Sequence, residues 1–195
     1  ELVEDRHAGR IGDVLLLVEH PHVLTLGARG DGGRGHIRVT GEELAARGIE
    51  VLETGRGGDI TYPGPGQIVG YPIIDLKPDR QDVHRYVRDL EEVLIRAAAA
   101  WGVRGFRSQG FTGVWTGGGK LAAIGVRVSS GWITSHGFAL NVSTDLSFFG
   151  AIVPCGIADR EVTSLVRETG RDIDLDEARG AVDRAFADVF DAEVV

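Results

Sequence analysis

Apolar residues fall along this chain in short blocks of two different periods. Residues 13–20 (DVLLLVEH) and 22–27 (HVLTLG) are apolar runs too short for helices, and they predict two buried strands. Residues 40–48 (TGEELAARG) predict a short helix, capped by Thr40, with Glu43 at the capping-box position and Gly48 closing it. Residues 49–54 (IEVLET) and 67–76 (QIVGYPIIDL) predict strands. Pro72 has no amide hydrogen to donate, which points to an edge or bulge position in the second of them. The longest helix is predicted over residues 82–102, where Val83, Val87, Leu90, Leu94 and Ala97 recur near a 3.6-residue period. Residues 113–116, 120–129 and 132–142 predict strands, the last two forming a hairpin around SSG. A final amphipathic helix is predicted over 174–190, capped by Asp174 with Glu177 at the capping-box position. Strands and helices do not alternate regularly. The expected class is therefore α+β, with an antiparallel or mixed sheet packed by helices.

Composition narrows the picture. The 195 residues suffice for a single domain, 1–195, with a substantial core. A net charge of −8 argues against a general nucleic-acid binder. No apolar run approaches the ~18 residues of a membrane span. One cysteine excludes an intrachain disulfide and cysteine-rich zinc sites, and it suits a reducing compartment. His20 and His22 are close in sequence, but no carboxylate or cysteine spacing completes a metal-ligand set, so no metal is expected. The chain begins at Glu1 and contains no methionine, so its natural start is expected to be missing.

The candidate chemistry centres on IVPCGIADREVTSL, residues 152–165. A free cysteine is most often a small buried hydrophobe. Cys155, however, stands between Pro154 and Gly156 at the end of an apolar run, where a sulfur meets substrate more readily than in mid-strand. A nucleophilic cysteine needs a base or a cation beside it, and Lys120, His136 and Arg127 are the candidates. Lys120 follows TGGG at the head of an apolar strand, either as an ordinary edge residue or as a proton carrier. His136, in TSHGFALN, is either a structural bridge or a partner for Cys155. RGGDITYPGPGQ, residues 56–67, is either a surface turn or a cleft wall, and it lacks the Gly-Lys-Ser/Thr ending of a phosphate loop.

Taken together, EHPHVLTLG, RGGDITYPGPGQIVGYPI, GVWTGGGKLAAIGVRV and HGFALNVSTDLSFFGAIVPCGIADREVTSL closely resemble the lipoyl(octanoyl) transferases, over most of the chain. The resemblance implies the catalytic fold shared by biotin and lipoate ligases. It implies that Cys155 accepts the acyl group and that Lys120 is its partner. Substrate contact is implied for Arg56, Gly57, Gly58, Asp59, Ile60, Thr61, Tyr62 and Pro63. The same holds for Ala123, Ile124 and Gly125, and for His136, Gly137, Phe138 and Ala139. The implied donor is octanoyl-acyl carrier protein. The implied acceptors are lipoyl domains of 2-oxoacid dehydrogenase complexes and the glycine-cleavage H protein. No cofactor, metal, nucleic acid or membrane is expected, and the enzyme is expected to act in the cytoplasm as a monomer. Two departures stand out. Pro63 replaces the histidine usual in the family's Tyr-His-Gly-Pro-Gly-Gln motif, so that histidine's role does not carry over. Against the family's pattern, the usual first strand and most of the first helix are also expected to be missing, with residues 1–13 (ELVEDRHAGRIGD) as the remnant of that helix. The rival readings are an ATP-using lipoate ligase, a non-catalytic acyl- or lipoyl-domain-binding module, and a Cys155/His136 hydrolase. Arg29, Arg34 and Arg56 are the expected basic contacts for an acidic carrier.

Overall fold

The computed structural model describes residues 1–28, 33–153 and 161–193. In chain order the elements are α1 (Leu2–His7), β1 (Val14–Val18), β2 (Val23–Leu26), α2 (Gly41–Ala46), β3 (Glu50–Glu53), β4 (Gln67–Ile73) and α3 (Val83–Ala99). They continue as β5 (Phe106–Ser108), β6 (Phe111–Thr116), β7 (Gly119–Val128), β8 (Thr134–Asn141), α4 (Leu165–Thr169) and α5 (Leu175–Phe190). The Thr40/Glu43 capping box and the Asp174 cap read from the sequence are present. The Glu43 N–H donates to Thr40 Oγ1 (3.2 Å), and the Thr40 N–H returns a bond to Glu43 Oε2 (2.8 Å). The Asp174 carboxylate accepts the N–H groups of Asp176 and Glu177 at the head of α5.

Among the described residues, six strands form one sheet in the order β1-β4-β8-β7-β6-β5, antiparallel at every pairing. β2 and β3 form a separate parallel pair. The alternation along each strand of the large sheet sends one set of side chains to either face. Ile68, Leu121 and Leu140 pack with Leu90, Leu94, Val182 and Phe186 of α3 and α5 in one core cluster. A second cluster, with Leu24, Leu26, Leu44, Ile60, Tyr62 and Phe149, gathers around the small sheet. No helix among the described residues is long and apolar enough to cross a membrane.

Pro72 corrects one expectation. Its strand, β4, is flanked by β1 and β8, so Pro72 is not on an edge. A proline is tolerated there because the ladder to β8 stops at residue 70. Beyond that point the buried Thr134 hydroxyl replaces the ladder, donating to the Pro72 carbonyl (2.7 Å) and accepting from the Ile74 N–H (2.9 Å).

Candidate active site

The register of three strands builds the site. On the face opposite α3 and α5, Gln67 stands across from Asn141, and Val69 lies in line with Ala139 and then Ala123. Gly137 faces Gly125 one step further on. Side chains at every second residue share a face, so the middle of this face carries only alanine and glycine. The result is a trough. From Asn141 to Gly137 it runs about 13 Å at the rise of a strand.

The far wall comes from the segment after β3. Thr25, Thr54, Arg56, Gly58, Asp59, Thr61 and Pro63 face Val69, Tyr71, Ala123, Ile124, Gly125 and residues 136–139 across a cavity of about 600 Å³, part of it open to solvent. Ile60 and Tyr62 alternate the other way and are buried in the small-sheet core. Gly57 lies against β7, its N–H donating to the Val126 carbonyl (3.0 Å). A Cβ on Gly57 would come 2.8 Å from that carbonyl oxygen, and one on Gly125 would come 2.7 Å from the Gly57 oxygen. Two glycines are thus what allow the wall to close on the sheet.

The wall is pinned by Arg56. Its guanidinium donates to the Thr25 carbonyl (2.5 Å), the Thr25 hydroxyl (3.0 and 3.2 Å) and the Gly57 carbonyl (3.1 Å). Arg56 is therefore a structural clamp at the pocket wall. Arg34 is exposed and paired with Glu53 (2.7 Å). Arg29 lies outside the described residues. Asp59, on the same wall, accepts the Ile60 N–H (2.6 Å) and pairs with His36 (2.9 Å).

His136 enters the pocket with a left-handed backbone (φ 57) that a non-glycine residue seldom adopts. Burial, and then the positive charges of Arg56 and Arg127, hold its imidazole below the usual histidine range. It is thereby kept neutral around pH 7. Burial likewise lowers His20, whose Nε2 meets the Tyr71 hydroxyl at 2.7 Å. His22 bonds instead to the Tyr62 hydroxyl through Nδ1 (2.6 Å), so the two histidines are committed to different tyrosines.

A smaller cavity continues the trough. Thr61, Ala123 and Ala139 line both spaces, and the smaller one adds Gln67, Lys120, Asn141, Phe149 and Val162. Lys120 sits at its end, with Nζ 5.4 Å from the centre of the Trp115 ring. Its backbone is held on both sides by the chain that returns after residue 160: Lys120 N–H donates to the Glu161 carbonyl (2.8 Å), and Thr163 N–H donates to the Lys120 carbonyl (3.0 Å). Gly113 leaves room for the lysine stem, since a Cβ there would lie 2.9 Å from Lys120 Cε. Cys155 itself lies outside the described residues.

The structure thus gathers Arg56, Gly58, Asp59, Thr61 and Pro63 with residues 123–125 and 136–139 around one cavity, while Ile60 and Tyr62, expected to meet substrate, are buried in the small-sheet core, and Gly57 packs on β7 instead. It adds Thr25, Thr54, Gln67, Val69, Tyr71 and Asn141, which the sequence reading missed. The available signal was register. Gln67, Val69 and Tyr71 alternate along β4 and so share the pocket face.

A family model described as the lipoyl protein ligase A/B catalytic domain matches residues 1–187. The octanoyltransferase of Rubrobacter xylanophilus is 57% identical over 175 residues, covering 90% of this chain and 78% of its own length. Among solved structures, the putative lipoate protein ligase of T. acidophilum with bound lipoic acid superposes with a TM-score of 0.80 at 17% identity, covering 100% of this chain and 81% of that one. The biotin protein ligase of Aquifex aeolicus, in complex with biotin and ATP, gives 0.56 at 16% identity over 74% of this chain and 61% of that one. The fold is that of the lipoate and biotin ligases, an α+β unit with an antiparallel sheet packed by helices.

Proposed function

Since this chain belongs to the lipoyl protein ligase A/B catalytic family, and within it to the octanoyltransferases, we propose that it transfers an octanoyl group from an acyl-carrier-protein thioester to a lysine of a lipoyl domain. The observation that carries this reading is the trough. It is apolar, floored by Ala123, Ala139, Gly125 and Gly137, and it continues into the cavity that holds Lys120. An extended eight-carbon chain fits its length. Each buried methylene contributes ~0.8 kcal/mol, so the tail supplies the binding energy and places the carbonyl at the lysine end.

In this account the nucleophile is Cys155. Its thiolate attacks the thioester carbonyl, the bond from carbon to the carrier sulfur breaks, and the departing sulfur takes a proton from the Lys120 ammonium. A neutral lysine of the lipoyl domain then attacks the acyl-enzyme. The bond to the Cys155 sulfur breaks, and Lys120 accepts the proton that the amine sheds. The thiolate and ammonium are thereby restored. The pairing of Val162 with Lys120, seven residues after Cys155, supports the assignment of these two residues to one site. The proposed acceptors are the lipoyl domains of 2-oxoacid dehydrogenase complexes and the glycine-cleavage H protein.

The test is octanoyl transfer from octanoyl-carrier protein to a lipoyl domain with no ATP present. Transfer by the wild type, lost in both Cys155→Ala and Lys120→Ala, is the expected result. Transfer that requires free octanoate and ATP would replace this reading with a ligase.

A further inference from the structure

Gln67 is 1% exposed and is only half satisfied. Its Nε2 donates to the Tyr62 carbonyl at 2.8 Å. A carbonyl only accepts, so this bond fixes which end of the amide is nitrogen. The other end, Oε1, is buried and has no hydrogen-bond partner among the described residues. Buried polar atoms are nearly always paired, and an unpaired acceptor in a core costs stability. Gln67 lies on the wall of the small cavity it shares with Lys120 and with Asn141, its cross-strand partner. The structure keeps an unused acceptor at the reacting end of the trough.

On the transfer reading above, we infer that Gln67 Oε1 receives an N–H of the incoming lysine amine and orients it for attack. An oxygen acceptor selects for a donor. The acyl tail, the thioester carbonyl and the sulfur offer none. The amine offers two N–H groups. On attack, nitrogen forms its bond to the acyl carbon and becomes positive, and Lys120 takes one proton. The other hydrogen stays on the product amide, and this is the one Gln67 holds. A carbonyl dipole already aimed at nitrogen stabilises the positive charge that develops there without having to reorganise.

The test uses the full chain and Gln67→Met, with steady-state octanoyl transfer measured while donor and acceptor are varied independently. The expected result is a fall of ~10–100-fold in kcat/KM for the lipoyl-domain acceptor, the scale of one lost hydrogen bond to a charged group, with kcat/KM for the octanoyl donor within ~3-fold of wild type. A purely structural glutamine would lower both constants together, because the Tyr62 segment walls the acyl pocket, and that outcome overturns the inference. A loss confined to the donor constant also overturns it and assigns Oε1 to an amide N–H of the carrier's prosthetic arm. No change in either constant leaves Oε1 with no partner but water and equally overturns it. Should the methionine variant fail to fold, Gln67→Ala, smaller and unable to clash, is read in the same two constants. Whether the double-reciprocal lines run parallel or cross tests the covalent route. Which constant Gln67 controls is read in either pattern, so the two claims fail separately.

Discussion

Ala123 and Ala139 face each other across β7 and β8 and line both the acyl-sized trough and the smaller cavity beyond it. Their two methyl groups are the floor at the junction. A larger side chain at either position narrows the trough where it meets the Lys120 cavity, at the end that receives the acyl carbonyl.

Ala139→Leu is therefore expected to hinder every acyl chain. Octanoyl and butanoyl transfer should both fall by at least ~10-fold, because each chain has to place its carbonyl at the junction, in keeping with the ~10–200-fold that a methylene-scale change in an apolar pocket commands. The measurement is kcat/KM across a series of acyl-carrier thioesters. A loss confined to the longer chains would show that the tail, and not the carbonyl, lies at the Lys120 end.

The contact between Gly57 and Gly125 makes a stability prediction. Gly125→Ala places a methyl 2.7 Å from the Gly57 oxygen, a backbone atom that cannot rotate away. A loss of ~1–3 kcal/mol is expected, the usual range for overpacking, together with a weaker affinity for acyl substrates as the wall lifts. Urea unfolding and substrate titration check the two parts, and an unperturbed variant would contradict the closure described above.

How far the sequence could be read depends on the range of the forces involved. The Thr40/Glu43 capping box, the Asp174 cap and the 3.6-residue period of α3 are local, and they were readable because each acts within a turn or two of helix. The site was partly readable because residues 56–63, 123–125 and 136–139 lie in recognisable blocks. The alternation along β4 offered a signal for Gln67, but its pairing with Asn141 was not readable. They meet only through the register of β4 on β8, which no short window of sequence encodes. Pro72 misled for the same reason, because the group that rescues it, Thr134, is 62 residues away. The role of Arg56 was likewise set by a distant partner, Thr25.

A pH dependence follows from His136. In the folded chain its imidazole binds a proton less readily than in the unfolded chain, because of burial and the nearby Arg56 and Arg127. The unfolded state therefore takes up more protons as pH falls through the ordinary imidazole range near ~6.5, and stability drops with it. His20, lowered by burial, acts in the same direction. His136→Asn, chosen because asparagine tolerates the left-handed backbone, should flatten the fall in unfolding free energy between pH 7.5 and 5.5. An unchanged slope would count against the assignment.

Glu91 offers a test away from the trough. It is fully buried, with Arg88 at 2.6 Å, Arg107 at 3.2 Å and the Gly113 N–H at 3.1 Å. Gly113 in turn makes room for the Lys120 stem. Glu91→Ala strands the Gly113 amide, while Arg107 keeps Glu92 (2.9 Å) and the exposed Arg88 guanidinium turns to water, so a loss of about 1–3 kcal/mol is expected, the cost of a buried donor left unpaired. Arg107→Ala, which leaves the Arg88 contact, should cost less. The order of the two, read from denaturant midpoints, checks the arrangement.

The central claim is that the octanoyl group passes through the chain itself. It is tested most directly by the intact mass of the protein after mixing with octanoyl-acyl carrier protein without ATP, beside Cys155→Ala. The account predicts one octanoyl adduct on the wild type alone, discharged when a lipoyl domain is added. Full transfer activity with no adduct at any quench time, or an adduct that persists in Cys155→Ala, would contradict it.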